Sequence, residues 1–382
     1  MDIRTRLIRD ATARPDDRRT VNPPIERGTT VLLNKSADLF DDSRGPVYGL
    51  GGFGAHRALE KGLAELEAAE EVHLAPSGLA AVTIPLMAML SAGDEVLITD
   101  AVYGPTRSFC NKTMKRWGVA ARYYPPRATP AEVMAMVGPA TKLIVLEAPG
   151  SLTFEIQDVP GIARLAREAG IATMIDNTWA CGLFFQPLEH GVDISVQALS
   201  KYVGGHSDVF GGAMAVRDGA IGRRIKAVMD EMGWFVSPDD AWLALRGLRT
   251  LPARMAMHEA GGLEVARWLA QQPEVLNVLH PALPDFADHA QWKRDFTGSN
   301  GLFGVVLKPG PDGDQLIDAL ELFGTGVSWG GYESLASPGD RMIGRRSLPQ
   351  DLGGSLVRLH VGLEAPADLI SDLRRGLDAL AG

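Results

Sequence analysis

The feature that most constrains the fold is a regular alternation of short apolar segments and helical patterns between residues 95 and 216. Strands that alternate with helices predict a mostly parallel sheet covered by helices on both faces. Strands are predicted at 95–99, 120–124, 142–146, 173–175, 194–197 and 211–216, and helices at 54–70, 78–90, 131–137 and 159–168. This part of the chain is therefore expected to be an α/β domain.

The remaining residues suggest two further parts. A long helical pattern at 238–258 is followed by strand patterns at 275–279, 302–307 and 356–360 and helical patterns at 315–322 and 367–380. At 382 residues the chain is too long for one ordinary domain. We expect an N-terminal arm over 1–52 that lies on a neighbouring subunit, a large α/β domain over 53–245 and a smaller α+β domain over 246–382.

Composition excludes some classes of partner. The net charge of −9 disfavours nucleic-acid binding, because polyanions are held mainly by Lys and Arg. Basic clusters at 4–19 and 341–346 are interpreted as solvated termini and loops. The polar N-terminus has no apolar signal core, and the most apolar run, 78–93, is shorter than the roughly 20 residues of a membrane helix. The two cysteines, Cys110 and Cys181, are too few for a disulfide framework, so we expect a cytoplasmic protein without membrane contact.

Three groups of residues lie where ligands bind in such folds, at the carboxyl ends of strands. Ser77–Leu79 begins a helix whose N–H groups suit a phosphate, although many helices begin in this way. Asp176 directly follows a strand and could bind a metal, cap a helix or hold a protonated ring nitrogen. Lys201 follows Ser200 just after another strand, and by itself it could be an ordinary surface lysine.

Taken together, the three groups match the needs of pyridoxal 5′-phosphate. This cofactor requires a lysine for its covalent attachment, an anion for its pyridinium nitrogen and a phosphate site. The chain has no Walker P-loop and no Cys/His set with metal-ligand spacing. The residues therefore favour a pyridoxal-phosphate site without a metal.

Four segments resemble the pyridoxal-phosphate-dependent enzymes of cysteine and methionine metabolism. They are SKYVGGHSDVFGG, IDNTWACGLFFQPLEHGVDIS, SWGGYESL and VRLHVGLE, and the resemblance runs from about residue 33 to the C-terminus. Within the family the motifs are most similar to those of the bacterial cystathionine β-lyases. The resemblance implies an aminotransferase-like fold (fold type I) and a homotetramer built from two dimers that share active sites.

The resemblance also implies the residues that bind the cofactor. Lys201 matches the lysine that attaches it and acts as catalytic base. Asp176 matches the partner of the pyridinium nitrogen. Tyr103 matches a catalytic tyrosine that stacks on the ring. The matches to phosphate contacts are Gly78, Leu79, Ser200 and Tyr48, the last lent by the neighbouring subunit.

On the substrate side, Arg358 matches the arginine that binds the α-carboxylate, which a bidentate guanidinium suits better than a lysine does. Ser328 and Trp329 match residues that line this side, with Tyr48 from the neighbouring subunit. Arg358 could instead form a structural ion pair, and Trp329 could belong to the core. His360 is interpreted as a structural histidine.

Two positions depart from the family pattern around the phosphate. Leu50 replaces the arginine of a Tyr-Gly-Arg segment, and a charged hydrogen bond of that kind contributes ~1.5–3 kcal/mol. Arg57 and Arg44 are candidates to replace it. Ala198 stands where many relatives have a serine. We therefore predict weaker cofactor retention than is usual in the family.

The expected activity is β-elimination of L-cystathionine to homocysteine, pyruvate and ammonia, a step of methionine biosynthesis. The alternatives are γ-elimination or γ-replacement, as in cystathionine γ-lyase or γ-synthase, and a β-lyase for cysteine or its S-conjugates. Val327 stands where β-lyases often carry an aromatic residue, which leaves the substrate open. A non-catalytic regulator would be expected to lack Lys201, Asp176 or Arg358.

Overall fold

The computed structural model describes residues 1–9, 20–41, 45–310, 312–348 and 350–381. The α-helices in these ranges are α1 (Ile3–Arg9), α2 (Gly54–Glu67), α3 (Gly78–Met89), α4 (Gly104–Phe109), α5 (Pro130–Ala135), α6 (Val159–Glu168), α7 (Gly219–Met232), α8 (Pro238–Leu269), α9 (His289–Asp295), α10 (Gly313–Asp318), α11 (Asp340–Ile343) and α12 (Pro366–Asp378). The strands are β1 (Glu71–Ala75), β2 (Glu95–Thr99), β3 (Ala120–Tyr124), β4 (Thr141–Glu147), β5 (Ala172–Asp176), β6 (Ile194–Ala198), β7 (Gly212–Val216), β8 (Val275–Leu279), β9 (Leu302–Leu307), β10 (Gly324–Thr325), β11 (Leu335–Pro338) and β12 (Leu356–His360). Short 3-10 helices cover Ser36–Phe40, Gly49–Gly51, Pro187–His190 and Ala379–Ala381, and a π-helical turn covers Cys110–Met114.

The larger sheet has the strand order β1-β7-β6-β5-β4-β2-β3. The five strands from β6 to β3 are parallel, whereas β7 is antiparallel to both of its neighbours, β6 and β1. In the central strand β4 every residue except Lys142 is buried, as expected of a parallel strand with both faces covered. The predicted mostly parallel sheet is confirmed.

Helices cover both faces of this sheet. On one face, α3 and α7 pack on side chains that include Met174 and Val196. On the other, α2 and the first half of α8 pack on β1 and β7. The layers leave the carboxyl ends of the parallel strands open at one edge of the sheet.

The smaller sheet has the order β10-β11-β12-β9-β8, with β12 antiparallel to both neighbours. Leu369, Leu373 and Leu377 of α12 pack against it together with Val265 and Leu269 of α8. This arrangement matches the predicted α+β C-terminal region.

Helix α8 extends eleven residues beyond its predicted end at 258 and contributes to the core on both sheets. The predicted domain boundary between residues 245 and 246 falls inside this helix. The division of the chain into three parts therefore stays a prediction.

The N-terminal region begins with α1, whose Leu7 is buried in the core beside α2 and α8. Leu32 and Phe40, farther along, are 93% and 89% exposed. The contact of this region with a neighbouring subunit stays a prediction. Cys110 and Cys181 are buried and unbridged, and no helix in the described ranges is long and apolar enough to cross a bilayer.

The interpretation of the basic clusters as solvated needs a correction at one described residue, Arg346. In the first cluster Arg6 pairs with Glu65, and residues 10–19 lie outside the described ranges. In the second, Arg341 and Arg345 are exposed as expected. Arg346 is not, because its guanidinium is buried against the carboxylate of Glu155.

Candidate active site

Residues that follow the carboxyl ends of β2, β4, β5 and β6 line a cavity of about 270 Å³. This volume is near the lower end for small-molecule sites. Eight of the ten predicted site residues line it: Gly78, Leu79, Tyr103, Asp176, Ser200, Lys201, Trp329 and Arg358. Ser328 adjoins the cavity through its bond to Lys201. Tyr48 does not line it and is half exposed, with its backbone paired to Thr30.

Lys201 projects into the cavity from the turn after β6. Its Nζ donates a hydrogen bond to Ser328 Oγ at 2.7 Å and lies 5.2 Å from the centre of the Trp329 ring. Burial, and next the charge of Arg358, lower the pKa of Lys201 to about 8, against the opposing charge of Asp176. An amine with this pKa is partly unprotonated near neutral pH, as a general base must be.

The backbone after Lys201 is held by Arg254 of α8. This buried guanidinium donates to the carbonyl oxygens of Tyr202 at 2.7 Å and Gly247 at 2.8 Å. Gly205 has a φ of +70°, and a Cβ at that position would overlap the Arg254 guanidinium. The contact between α8 and the turn after β6 therefore requires glycine at position 205, and it fixes the backbone position of Lys201.

Asp176 ends β5 at the floor of the cavity. Its Oδ1 accepts from the Thr178 N–H at 3.1 Å and from the Thr178 hydroxyl. Burial raises the pKa of Asp176, whereas the Thr178 hydrogen bonds and the charge of Lys201 lower it. The carboxylate is thus stabilised by its neighbours and available to a cation in the cavity.

Glu147, at the end of the adjacent strand β4, is a second carboxyl that the sequence analysis missed. Its Oε2 accepts from the Tyr103 N–H at 2.7 Å. Burial, and next the charge of Asp176, raise the pKa of Glu147 well above its usual range. Glu147 is thus the carboxyl of the pair whose protonated form is favoured more strongly.

The start of α3 forms another wall. The Ser77 hydroxyl accepts from the Ala80 N–H at 3.0 Å, which leaves the earlier N–H groups of the helix facing the cavity side. A Cβ on Gly78 would overlap that of Ala198, so only glycine allows this close approach to the β6 turn. Backbone N–H groups at a helix start bind a phosphate well.

Arg358 approaches from β12, on the opposite side. Its Nη2 donates to the carbonyl oxygens of Val327 at 2.8 Å and Ser328 at 3.4 Å. Burial lowers the pKa of Arg358 to about 10, so it stays cationic at neutral pH. Among the described residues it makes no ion pair with a carboxylate, and its charge can receive a carboxylate from a ligand.

The residues present fit pyridoxal phosphate. Asp176 would hold the pyridinium nitrogen, the lysine of the β6 turn would attach the cofactor, and the start of α3 with Ser200 would hold the phosphate. Lys201 and Arg358 are the only cations among the residues that line the described cavity, and neither lies on the α3 wall. The phosphate end therefore relies on N–H and hydroxyl groups in one chain.

The departures from the family pattern are visible here. Leu50 is 43% exposed. Arg57 pairs with Glu60 at 2.5 Å and also bonds the Gly51 carbonyl oxygen. Arg44, the other candidate replacement, lies outside the described residues. The predicted weakness of cofactor retention stays a prediction.

Residues missed from the sequence include Glu147, Thr178 and the wall formed by 149–154. Glu147 carries the same signal as Asp176, a carboxylate directly after a buried parallel strand. Thr178 has no such signal, since its role depends on a turn that brings its hydroxyl back to Asp176.

A family described as Cys/Met metabolism PLP-dependent enzyme matches residues 4–378. The chain is 43% identical over 372 residues to a cystathionine beta-lyase of Bordetella avium, covering 94% of this chain and 93% of the other. It is 38% identical over 385 residues to a cystathionine beta-lyase of Escherichia coli, covering 97% of each. The structure of a cystathionine gamma-lyase from Lactobacillus plantarum, in complex with L-serine, superimposes with a TM-score of 0.92 at 30% identity over the whole of both chains.

Fold, site and these matches define a pyridoxal-phosphate-dependent enzyme. The chain belongs to the Cys/Met metabolism PLP-dependent enzymes. The predicted family, fold class, cofactor and enzyme class, a carbon–sulfur lyase, are confirmed. The roles predicted for individual site residues stay predictions.

Proposed function

We propose that the enzyme catalyses β-elimination of L-cystathionine to homocysteine, pyruvate and ammonia, as a step of methionine biosynthesis. The observation that carries this proposal is the amine of Lys201, which donates to Ser328 and whose pKa is lowered to about 8 by burial and next by the charge of Arg358. The β-lyases among the relatives, at 43% and 38% identity over nearly the whole chain, support this reaction.

The substrate is held by its α-carboxylate. Arg358 exchanges its carbonyl partners, Val327 and Ser328, for the two carboxylate oxygens, and a guanidinium gains a bidentate pair in this exchange. This places the α-carbon of the substrate on the Lys201 side of the cavity. Trp329 then limits where the side chain of the substrate can lie.

The proton transfers belong to Lys201. Its unprotonated amine removes the α-proton, and Ser328 Oγ, 2.7 Å from Nζ, holds the resulting ammonium in place. Pyridoxal phosphate, when bound, supplies the electron sink for the pair left on the α-carbon. Lys201 then gives its proton to the sulfur as the Cβ–S bond breaks, and homocysteine leaves. Hydrolysis of the remaining three-carbon fragment yields pyruvate and ammonia.

Tyr103 and Asp176 would hold the ring of the cofactor. Asp176 would keep the pyridinium nitrogen protonated, and Tyr103 would stack on the ring face. Burial, and next the charges of Asp176 and Glu147, raise the pKa of Tyr103, so its phenol stays neutral at physiological pH. Gly78, Leu79 and Ser200 hold the phosphate.

Tyr48 completes the site from a neighbouring subunit in a cytoplasmic homotetramer. Its position outside the cavity of its own chain, together with the exposure of Leu32 and Phe40, supports an arm that lies on another subunit. Each active site then contains residues of two chains.

A second candidate is γ-elimination, which gives 2-oxobutyrate and cysteine from the same substrate. The structure of a γ-lyase with a TM-score of 0.92 favours it, because the same backbone serves that reaction. Val327, 77% exposed beside the Arg358 carbonyl contact, leaves room for either substrate orientation.

Product identification with L-cystathionine decides between them. The β-reaction predicts pyruvate and homocysteine in equal amounts, and the Lys201→Ala variant serves as the inactive control. Formation of 2-oxobutyrate and cysteine would show γ-elimination and contradict the proposal. Faster turnover of cysteine or another S-conjugate than of cystathionine would retain β-elimination but change the substrate.

A further inference from the structure

Residues 344–348 and Gln350 follow α11 and are called the post-α11 segment, which runs from the C-terminal sheet to the wall of the active site. Arg346 in this segment is buried, with 7% of its side chain exposed, and its Nη1 lies 3.0 Å from Glu155 Oε1. Its Nη2 donates to the Ser151 carbonyl oxygen at 2.7 Å and to the Thr153 hydroxyl. Gln350 of the same segment donates to Glu155 Oε1 at 3.0 Å. One guanidinium thus holds three acceptors of a single loop, residues 150–155.

This loop forms part of the cavity wall. Gly150, Ser151, Leu152 and Phe154 all line the cavity. Leu152 has a φ of +74° and Phe154 a φ of +60°, in the left-handed region that residues with a Cβ rarely adopt. Such a conformation persists only where its surroundings hold it, and strain of this kind clusters at functional sites.

The same segment also holds the stretch that carries Tyr103. The carboxylate of Asp100, just after β2, accepts from the N–H groups of Ser347 at 3.0 Å and Leu348 at 2.8 Å. The two loops are joined where the Ser151 N–H donates to the Ala101 carbonyl oxygen at 2.8 Å. The post-α11 segment therefore contacts both walls on this side of the cavity.

We propose that Arg346 is a positioning residue of the active site, which holds the 150–155 loop, and through it the Tyr103 stretch, in the shape that fits ring and substrate. It touches neither of them itself. The substrate readout below rests on the proposed function, whereas the two other readouts do not.

Three variants separate positioning from simple stability. Arg346→Lys keeps the charge but replaces a planar fork with a single ammonium, whose N–H groups all start from one nitrogen and cannot reach the acceptors that Nη1 and Nη2 bind separately. Arg346→Met leaves the buried Glu155 charge without its cationic partner, which destabilises the fold for a reason unrelated to the loop. The double variant Arg346→Met/Glu155→Gln removes that charge but still leaves the loop unheld. Arg345→Met, at the exposed neighbouring arginine, is the matched control.

The experiment compares these holoenzymes by hydrogen exchange of the peptide 148–156, by circular dichroism of the bound cofactor and by steady-state kinetics. In the double variant we expect loop amides to exchange at least ~10-fold faster, a weaker cofactor dichroism band, and a KM for L-cystathionine at least ~10-fold higher with a smaller fall in kcat. Arg346→Lys should lie between the double variant and wild type, and Arg345→Met should match wild type.

The proposal would be overturned if the double variant showed the same hydrogen exchange of the loop and the same cofactor dichroism as wild type. Failure of the double variant and of Arg346→Lys to fold would also overturn it, because the residue would then serve the fold alone. If wild type does not cleave L-cystathionine, the proposed function fails, but loop exchange and dichroism still test Arg346.

Discussion

Lys201, Asp176 and Glu147 lie around one cavity, and burial favours the uncharged form of each. It lowers the pKa of Lys201 and raises the pKa of Asp176 and of Glu147. Specific partners then separate them. The hydrogen bonds of Thr178 and the charge of Lys201 oppose the rise in the pKa of Asp176, whereas the charge of Asp176 adds to the burial that raises the pKa of Glu147. Asp176 is therefore the more readily ionised carboxyl of the two, and it lies beside an amine whose pKa is lowered to about 8.

This division predicts different effects of two isosteric substitutions. Asp176→Asn removes the charge that holds the pyridinium proton, so we expect kcat to fall about 100-fold or more. Glu147→Gln copies the protonated carboxyl, and its amide oxygen can still accept from the Tyr103 N–H, so kcat should stay within about threefold. Steady-state kinetics of both holoenzymes checks this. Equal losses would show that the two carboxyls were assigned wrongly.

At the scale of single residues, the sequence predicts those site residues that directly follow a strand or begin a helix. Lys201 and Asp176 were found because each follows a strand, and Gly78 because it starts a helix. Arg346 could not be found, since its partner Glu155 is 191 positions away and only the fold brings them together.

Among the elements, α2 and the ends of β5 and β6 are joined by a buried carboxyl. Glu67 is 2% exposed and accepts hydrogen bonds from Ser195 at 2.9 Å, from Asn177 at 3.2 Å and from Gln197. Asn177 follows Asp176, and Gln197 shortly precedes Lys201. Glu67 thus braces, from the far face of the sheet, the two strands that carry the cofactor residues.

Burial raises the pKa of Glu67 from 4.5 to about 7, against the three hydrogen bonds. The folded state then binds more protons than the unfolded chain between these values, so the contribution of Glu67 to stability falls as pH rises from 4.5 to 7, by up to about 3 kcal/mol.

Glu67→Gln should remove this dependence. Urea unfolding at pH 5 and pH 8 should show wild type losing more stability between the two pH values than the variant, by about 2.5 kcal/mol. The exposed Glu70→Gln on the same side of the fold should behave as wild type. A variant with the full wild-type pH dependence would mean that Glu67 ionises normally.

Element prediction succeeded where periodicity is strong, since all nine predicted strands are present. Strand β1 was missed because its five residues EVHLA follow a helix directly and include a polar histidine. The end of α8 was placed too early because Gly261 and Gly262 resemble a stop. Gly262 is instead needed for packing, since a Cβ there would lie 2.7 Å from the Asn300 carbonyl oxygen.

For the whole molecule, two sheet regions were predictable from the order of the patterns, but the strand order was not. The antiparallel insertion of β7 between β6 and β1 pairs Glu71 with Val216, which are 145 positions apart, and no local pattern encodes it. The assembly of subunits rests on the family resemblance.

The proposed assembly of subunits predicts an effect of Leu50 on cofactor binding. If the arm reaches a neighbouring site, Leu50→Arg restores a charged phosphate contact worth ~1.5–3 kcal/mol, and the apparent Kd for pyridoxal phosphate should fall at least ~10-fold. Equilibrium titration of the apoenzyme measures this. Leu276→Arg, at a leucine 47% exposed on β8, adds the same charge elsewhere and should change nothing.

Two results would count against this reasoning. One is an unchanged Kd in Leu50→Arg. The other is wild-type enzyme that keeps its full cofactor complement through prolonged dialysis without added pyridoxal phosphate.

The central claim is that Lys201 both attaches the cofactor and moves the protons. Borohydride reduction of the holoenzyme, followed by digestion and peptide mass mapping, tests it most directly. We predict the phosphopyridoxyl group on the peptide that contains Lys201, and neither label at this site nor measurable turnover in Lys201→Ala. A label on another lysine, or full turnover in Lys201→Ala, would contradict the account.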